Sequence, residues 1–303
     1  MPDASPQNAQ KTSSPAPLPS KAVKSPGSKL DFATIGGIGV ALAGILGGLL
    51  LEKGSLQDVA QMTAAMIVMG GTLGAVLVTT PLPVFVRACK GLRAAFLETG
   101  DSTAATIESL IGYAAMARKN GIVSLETEAA TVADPFLRKA LNLAVDGTDL
   151  QELRKMMELD IGLGEMSGEA EAKVWEAAGG YAPTIGIIGA VMGLIQVMKD
   201  LEDIKAVGHG IAVAFVATVY GVASANLFFL PVANKLRDRI RAAALAKDLI
   251  LEGVVGLLEG LNPTLLRMKL DSYNQDSPKP AKVKGAKAAG QPALAGQPAR
   301  GES

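Results

Sequence analysis

Residues 177–198 read AAGGYAPTIGIIGAVMGLIQVM, a run of 22 without Asp, Glu, Lys or Arg. A membrane-crossing helix needs about 20 mainly apolar residues. Three further runs meet that length. They are the 20 residues Phe32–Leu51, the 28 residues Val59–Val86 and the 29 residues Ala206–Asn234. The 303-residue chain carries 29 basic and 29 acidic residues, so its net charge is zero. The balance says little, but the placement of the charges is decisive. They leave four gaps, and each gap is long enough to cross a bilayer. The expected fold class is all-α: a multi-pass membrane protein with four transmembrane helices and a cytoplasmic helical domain.

The same composition sets aside several functions. A neutral chain lacks the basic excess of a nucleic-acid binder. One cysteine, Cys89, excludes an internal disulfide and a cysteine-based zinc site. One histidine, His209, argues against a histidine metal site or a catalytic triad. No nucleophile–base set lies in the spans, so neither an enzyme nor a cofactor is expected. The first apolar run starts after residue 30 and lacks a small-x-small exit, which argues against a cleaved signal peptide.

Lys and Arg near the span ends give the orientation. Lys21, Lys24 and Lys29 precede the first span. Arg87, Lys90 and Arg93 follow the second, and Lys235, Arg237, Arg239 and Arg241 follow the fourth. With four crossings these sets share one side, so both termini are expected in the cytoplasm. The chain divides accordingly. Residues 1–30 and 277–303, rich in Pro, Ala and Lys, read as disordered tails. Their basic charge is compatible with anionic membrane lipid, but a solvated tail is the preferred reading. Residues 31–86 form the first membrane hairpin, 87–176 a cytoplasmic helical domain, 177–234 the second hairpin and 235–276 a C-terminal cytoplasmic helix.

Helix punctuation fits this plan. Asp101 or Ser102 can cap a helix with Ile107, Leu110, Ile111 and Ala114 on one face, stopped by Gly121. Asp134-Pro135 is a cap followed by proline at the first helical position. Asp149 starts a further helix that can run on into the third span. No segment has strand periodicity. Small residues recur at helix-packing spacing in three spans: Gly39, Ala43 and Gly47; Gly189 and Gly193; Ala214, Thr218, Gly221 and Ala225.

No span contains a carboxylate. Charged groups inside the hydrocarbon are costly and usually mark ion or proton paths. If this chain moves ions, another chain must supply the titrating group. The polar atoms and prolines concentrate in the last two spans: Pro183, Thr184 and Gln196, then Thr218, Tyr220, Ser224, Asn226 and Pro231.

These residues carry a resemblance. GYAPTIGIIGAVMGL (180–194) resembles the third membrane helix of the MotA branch of the MotA/TolQ/ExbB family. VAFVATVYGVASANLFFLPVANKL (213–236) resembles the fourth. Four spans with a long loop after the second match that branch over about residues 31–270. The resemblance implies the stator subunit of a bacterial flagellar motor in the inner membrane, active in motility and chemotaxis. It implies a pentameric ring around a MotB-like partner whose single membrane helix brings an ion-binding aspartate. Pro183 and Pro231 match the prolines that flank that aspartate, and Thr218 matches the hydroxyl facing the ion path. Ala190 stands where sodium-driven relatives carry threonine, which implies protons, although Thr184 lies nearby. ARKNGIVSLE (117–126) resembles the segment facing the rotor protein FliG, with Arg118 and Glu126 as its paired charges. The alternative within the superfamily is an ExbB- or TolQ-like energiser of outer-membrane processes. The first hairpin argues against that alternative, because ExbB-like chains have three spans.

Overall fold

A computed structural model describes residues 29–30, 32–54, 59–98, 103–199 and 201–273. The expected tails and the Asp101/Ser102 cap lie outside these residues, apart from Lys29 and Leu30. Each of the four uncharged runs contains an apolar helix of at least 18 residues, long enough to cross a membrane. Helix α1 is Phe32–Leu51 and α2 is Met62–Thr79, with a π-helical turn at Met66–Gly70. The second run does not continue as one helix to Val86. Thr80 adopts an extended conformation before Pro81, as residues preceding proline prefer, and α3 starts afresh at Leu82–Phe96.

The central segment is helical. Helix α4 is Thr103–Asn120, a 3₁₀ turn follows at Ile122–Leu125, and then come α5, Glu126–Thr131, and α6, Pro135–Val145. Gly121 ends α4 at φ +84°, a conformation that glycine adopts without a Cβ clash. The Asp134 carboxylate accepts the Phe136 and Leu137 amides at 2.7 and 3.0 Å, a cap worth about 1 kcal/mol.

Two long helices join this segment to the membrane. Helix α7 runs unbroken through Leu150–Lys199, 50 residues, with Pro183 inside it. Helix α8 runs through Ile204–Leu258, with a π-helical turn at Ala225–Phe229. Gly260, at φ +69°, and the Asn262 cap separate it from α9, Pro263–Asp271. The expected strand-free character holds except for one two-residue antiparallel ladder, β1 Lys29–Leu30 against β2 Leu97–Glu98.

The main core lies in the helical domain. Leu110 of α4, Leu125, Leu141 of α6, Leu153 and Met157 of α7, Leu249 and Val254 of α8, and Leu266 of α9 are fully buried there. Each such side chain contributes about 1.5–3 kcal/mol by leaving water. Smaller clusters join α2 to α8 through Ala64, Val68, Val216 and Ala217, and α3 to α7 through Ala88, Val174 and Ala178. Helix α1 buries none of its apolar window within the chain. Gly39, Gly44, Gly47 and Gly48 have no neighbour within 4 Å of where a Cβ would stand. The first-span glycines therefore make no close helix contact inside one chain.

Candidate functional site

The glycines of α7 and α8 are used differently. A Cβ on Gly186 would lie 2.9 Å from the Ala217 carbonyl oxygen, and one on Gly193 would lie 2.8 Å from that of Gly210. One on Gly189 would meet Ala217 Cβ at 2.8 Å and Ile67 Cγ2, in the π turn of α2, at 3.3 Å. Small residues let two helix backbones touch, which the sequence spacing had suggested for both spans.

Two of the candidate residues border this seam. The Cβ position of Gly221 is 3.2 Å from Pro183 Cα, and that of Gly186 is 3.5 Å from Thr218 Cα. Pro183 is therefore level with Gly221 and Thr218 with Gly186, about one helical turn apart along the antiparallel pair. Thr218 Oγ1 donates to the Ala214 carbonyl at 3.3 Å. Its oxygen keeps lone pairs for an incoming donor. Thr184 is exposed and donates to the Tyr181 carbonyl at 2.8 Å. Ala190 is partly exposed, two turns beyond Pro183 on its face.

Pro231 stands apart from this pair. A Cβ on Gly179, one turn before Pro183, would meet Leu230 Cδ2 at 2.6 Å, which sets Pro231 nearer the helical domain. It is exposed, and it borders a cavity shared with Thr34, Ile38 and Phe96. Arg118 and Glu126 are exposed in the helical domain, on either side of the Gly121 turn. They end α4 and start α5, rather than sharing one helix.

The structure adds a charge cluster that the sequence reading counted only for orientation. Arg237 of α8 lies 3.0 Å from Glu169 and also binds Glu176, both on α7. Hydrogen bonds to Glu176 and then Glu169 hold the guanidinium above its ordinary pKa. The same bond from Arg237 holds Glu176 below the usual carboxylate range. The seven-residue spacing of Glu169 and Glu176 puts them on one helix face and was the available signal. Among the described residues, no group of three His, Cys, Asp or Glu side chains is placed to hold a metal ion.

Four apolar helices, uncharged spans and a closely packed proline-bearing pair define a multi-pass membrane protein. Residues 128–248 match the MotA/TolQ/ExbB proton channel family, and residues 35–121 match the Motility protein A N-terminal family. Motility protein A of Helicobacter pylori (strain ATCC 700392 / 26695) is 34% identical over 244 residues, covering 80% of this chain and 95% of the relative. The chemotaxis protein PomA of Vibrio alginolyticus is 32% identical over 244 residues, covering 80% and 95%. The structure of C. jejuni MotAB matches with a TM-score of 0.79 at 31% identity, covering 82% of this chain and 98% of that one. The flagellar MotAB stator complex from Bacillus subtilis matches at 0.74 and 31%, covering 80% and 95%. The chain belongs to the MotA/TolQ/ExbB family, on its flagellar stator branch. It is a membrane-embedded motor subunit and not an enzyme.

Proposed function

We propose that the chain is the ring-forming, ion-conducting A subunit of a flagellar stator. The observation that carries this reading is the placement of Pro183 and Thr218, about one helical turn apart, along a glycine-packed seam in spans that hold no carboxylate. Such a wall can guide an ion but cannot bind its charge. The titrating aspartate then belongs to a MotB-like partner with one membrane helix, and five copies of this chain surround it. The absence of a hydroxyl at Ala190 favours protons, since sodium needs several oxygen ligands.

One charge crossing the membrane releases about 2.3 kcal/mol per 100 mV. Protonation of the partner aspartate removes a charge from the low-dielectric contact with α7 and α8. Pro183 leaves the Gly179 carbonyl without its helical donor, so α7 can bend there. That movement reaches Arg118 and Glu126, which press on a FliG-like rotor. Exposed charge pairs of about 0–1 kcal/mol each can form and break at every step. The basic span ends favour the inner membrane with both termini in the cytoplasm. The four-span architecture and the Motility protein A match over 35–121 favour this role over an ExbB- or TolQ-like energiser.

Deleting the gene in its host, with any second stator removed, should leave flagella assembled but paralysed. Swimming of the complemented strain should fall with a protonophore and stay constant across sodium concentrations. Unimpaired swimming of the deletion strain would remove the stator reading, and a sodium-dependent speed would remove the proton assignment.

A further inference from the structure

Where the last two spans enter the helical domain, one guanidinium holds two carboxylates at different heights. Arg237 of α8 donates to Glu169 through Nε and Nη2, both at 3.0 Å. It donates to Glu176 through Nη1 at 3.3 Å and again through Nη2. The two glutamates are about 10 Å apart along the axis of α7. The neighbouring contacts set Arg237 between them. A Cβ on Gly168 would meet Ile240 Cγ1 at 2.7 Å, and one on Gly179 would meet Leu230 Cδ2 at 2.6 Å. In this antiparallel pair Glu169 therefore draws Arg237 toward the helical domain, and Glu176 draws it toward the bilayer.

Two opposed tethers fix a position along the axis that neither fixes alone. Sliding α8 toward the domain stretches the bonds to Glu176, and sliding it toward the bilayer stretches those to Glu169. The apolar cluster beside them, Ala172 with Val232 and Leu236, packs without directional bonds and resists sliding less. Guanidinium forks have a set geometry. Arg237 is 21% exposed and the glutamates 39% and 49%, and pairs so open to water contribute little to stability. What the cluster supplies is alignment. Pro183 and Pro231 both lie on its bilayer side. A bend at either proline would otherwise be lost as slip of one helix past the other.

We propose that Arg237 is a positioning residue that locks the axial register of α7 and α8, so that the pair moves as one lever when a proline-bearing span bends. Its role in torque rests on the stator reading, whereas the register lock stands without it.

Two spin labels on the full chain in lipid nanodiscs read the register, in a Cys89→Ser background. Lys155→Cys on α7 and Ala242→Cys on α8 supply exposed sites offset along the axis. Dilution with unlabelled chain restricts the signal to distances within one copy. Glu176→Ala leaves Arg237 to Glu169 and should shorten the mean distance. Glu169→Ala leaves it to Glu176 and should lengthen the distance. Each shift should be about 2–4 Å, less than the rise of one helical turn. No shift, or shifts of one sign, would overturn the lock. In cells, Arg237→Gln should lower tethered-cell torque while native gels show intact rings and proton uptake stays at the native level. Glu169→Ala and Glu176→Ala serve in the same assay if Arg237→Gln does not assemble. Native torque with a shifted register would overturn the role in torque. Uptake falling in step with torque would overturn it too, by placing Arg237 on the ion route. The label distances need no motor, so failure of the lock and failure of the stator reading are told apart.

Discussion

Gly186 and Gly221 face each other across α7 and α8 so closely that a methyl group on Gly221 would lie 3.1 Å from Gly186 Cα. The same methyl would stand 2.5 Å from the Ala182 carbonyl oxygen, and backbone cannot swing aside as a side chain can. Gly221→Ala should therefore separate the two helices. A loss of about 1–3 kcal/mol is expected from overpacking. Thermal unfolding in detergent should register it. Gly180→Ala is the control, because that position is exposed and open, and it should leave the midpoint unmoved.

Pro183→Ala supplies an amide for the Gly179 carbonyl and stiffens α7 at the level of Gly221. Membrane insertion and ring assembly should be retained, while torque is lost. Tethered-cell rotation measures torque, and native gel migration measures assembly. Pro231→Ala should behave alike. Rotation at normal speed in either variant would remove that proline from the mechanism.

Arg118→Glu and Glu126→Lys alter exposed side chains at the Gly121 turn. Chain stability should change by less than about 0.5 kcal/mol. Swimming speed should nevertheless drop, and a matching charge reversal in the rotor protein should restore it. A speed loss that tracks a fall in unfolding temperature would instead assign these residues to the fold.

The pH dependence of the helical domain should follow Glu252. Burial pushes its pKa up, but hydrogen bonds from Lys269 and from Arg154, the latter at 2.8 Å, outweigh that and leave it lowered. A carboxylate lowered in the folded state stabilises it above the ordinary Glu value of about 4.3. That stability is lost as pH falls through the folded value. Asp248, one turn earlier, is raised by burial and by Glu165, Glu158 and Glu252. Its charged form therefore opposes folding at neutral pH, and the penalty fades as pH falls. Glu252→Gln should lower stability by about 1–2 kcal/mol at pH 7, and the deficit should close below about pH 4. Asp248→Asn should raise stability at pH 7. Thermal melts from pH 7 down to about pH 3 test both signs.

Much of the architecture was legible because charge is forbidden in hydrocarbon. Phe32–Leu51 coincides with α1 to the residue. Gly121, Asp134-Pro135 and Asp149 mark the helix boundaries they predicted, since positive φ and side-chain caps are local properties. The second uncharged run misled at its end, because the apolar residues after Thr80 belong to α3 rather than to the span. The π turns at Met66–Gly70 and Ala225–Phe229 left no sequence signal, for neither contains a proline. The small-residue pattern was ambiguous in kind: Gly189 and Gly193 pack against α8, while Gly44 and Gly48, at the same spacing, have no neighbour within 4 Å of where a Cβ would stand. Of the candidate site, the sequence supplied the residue types. It could not show that Pro183 and Thr218 border one seam while Pro231 sits nearer the helical domain.

Helix α7 passes from the helical domain into the membrane without a joint. From Pro183 back to Leu150 it extends about 50 Å at 1.5 Å per residue. A tilt of about 5° about Pro183 would carry the Leu150 end through about 4 Å. That displacement approaches one helical turn, starting from a deflection that side-chain repacking beside Thr218 can absorb. In the proposed mechanism helix α7 works as a gear, trading a small angle in the bilayer for a long stroke in the domain beyond it.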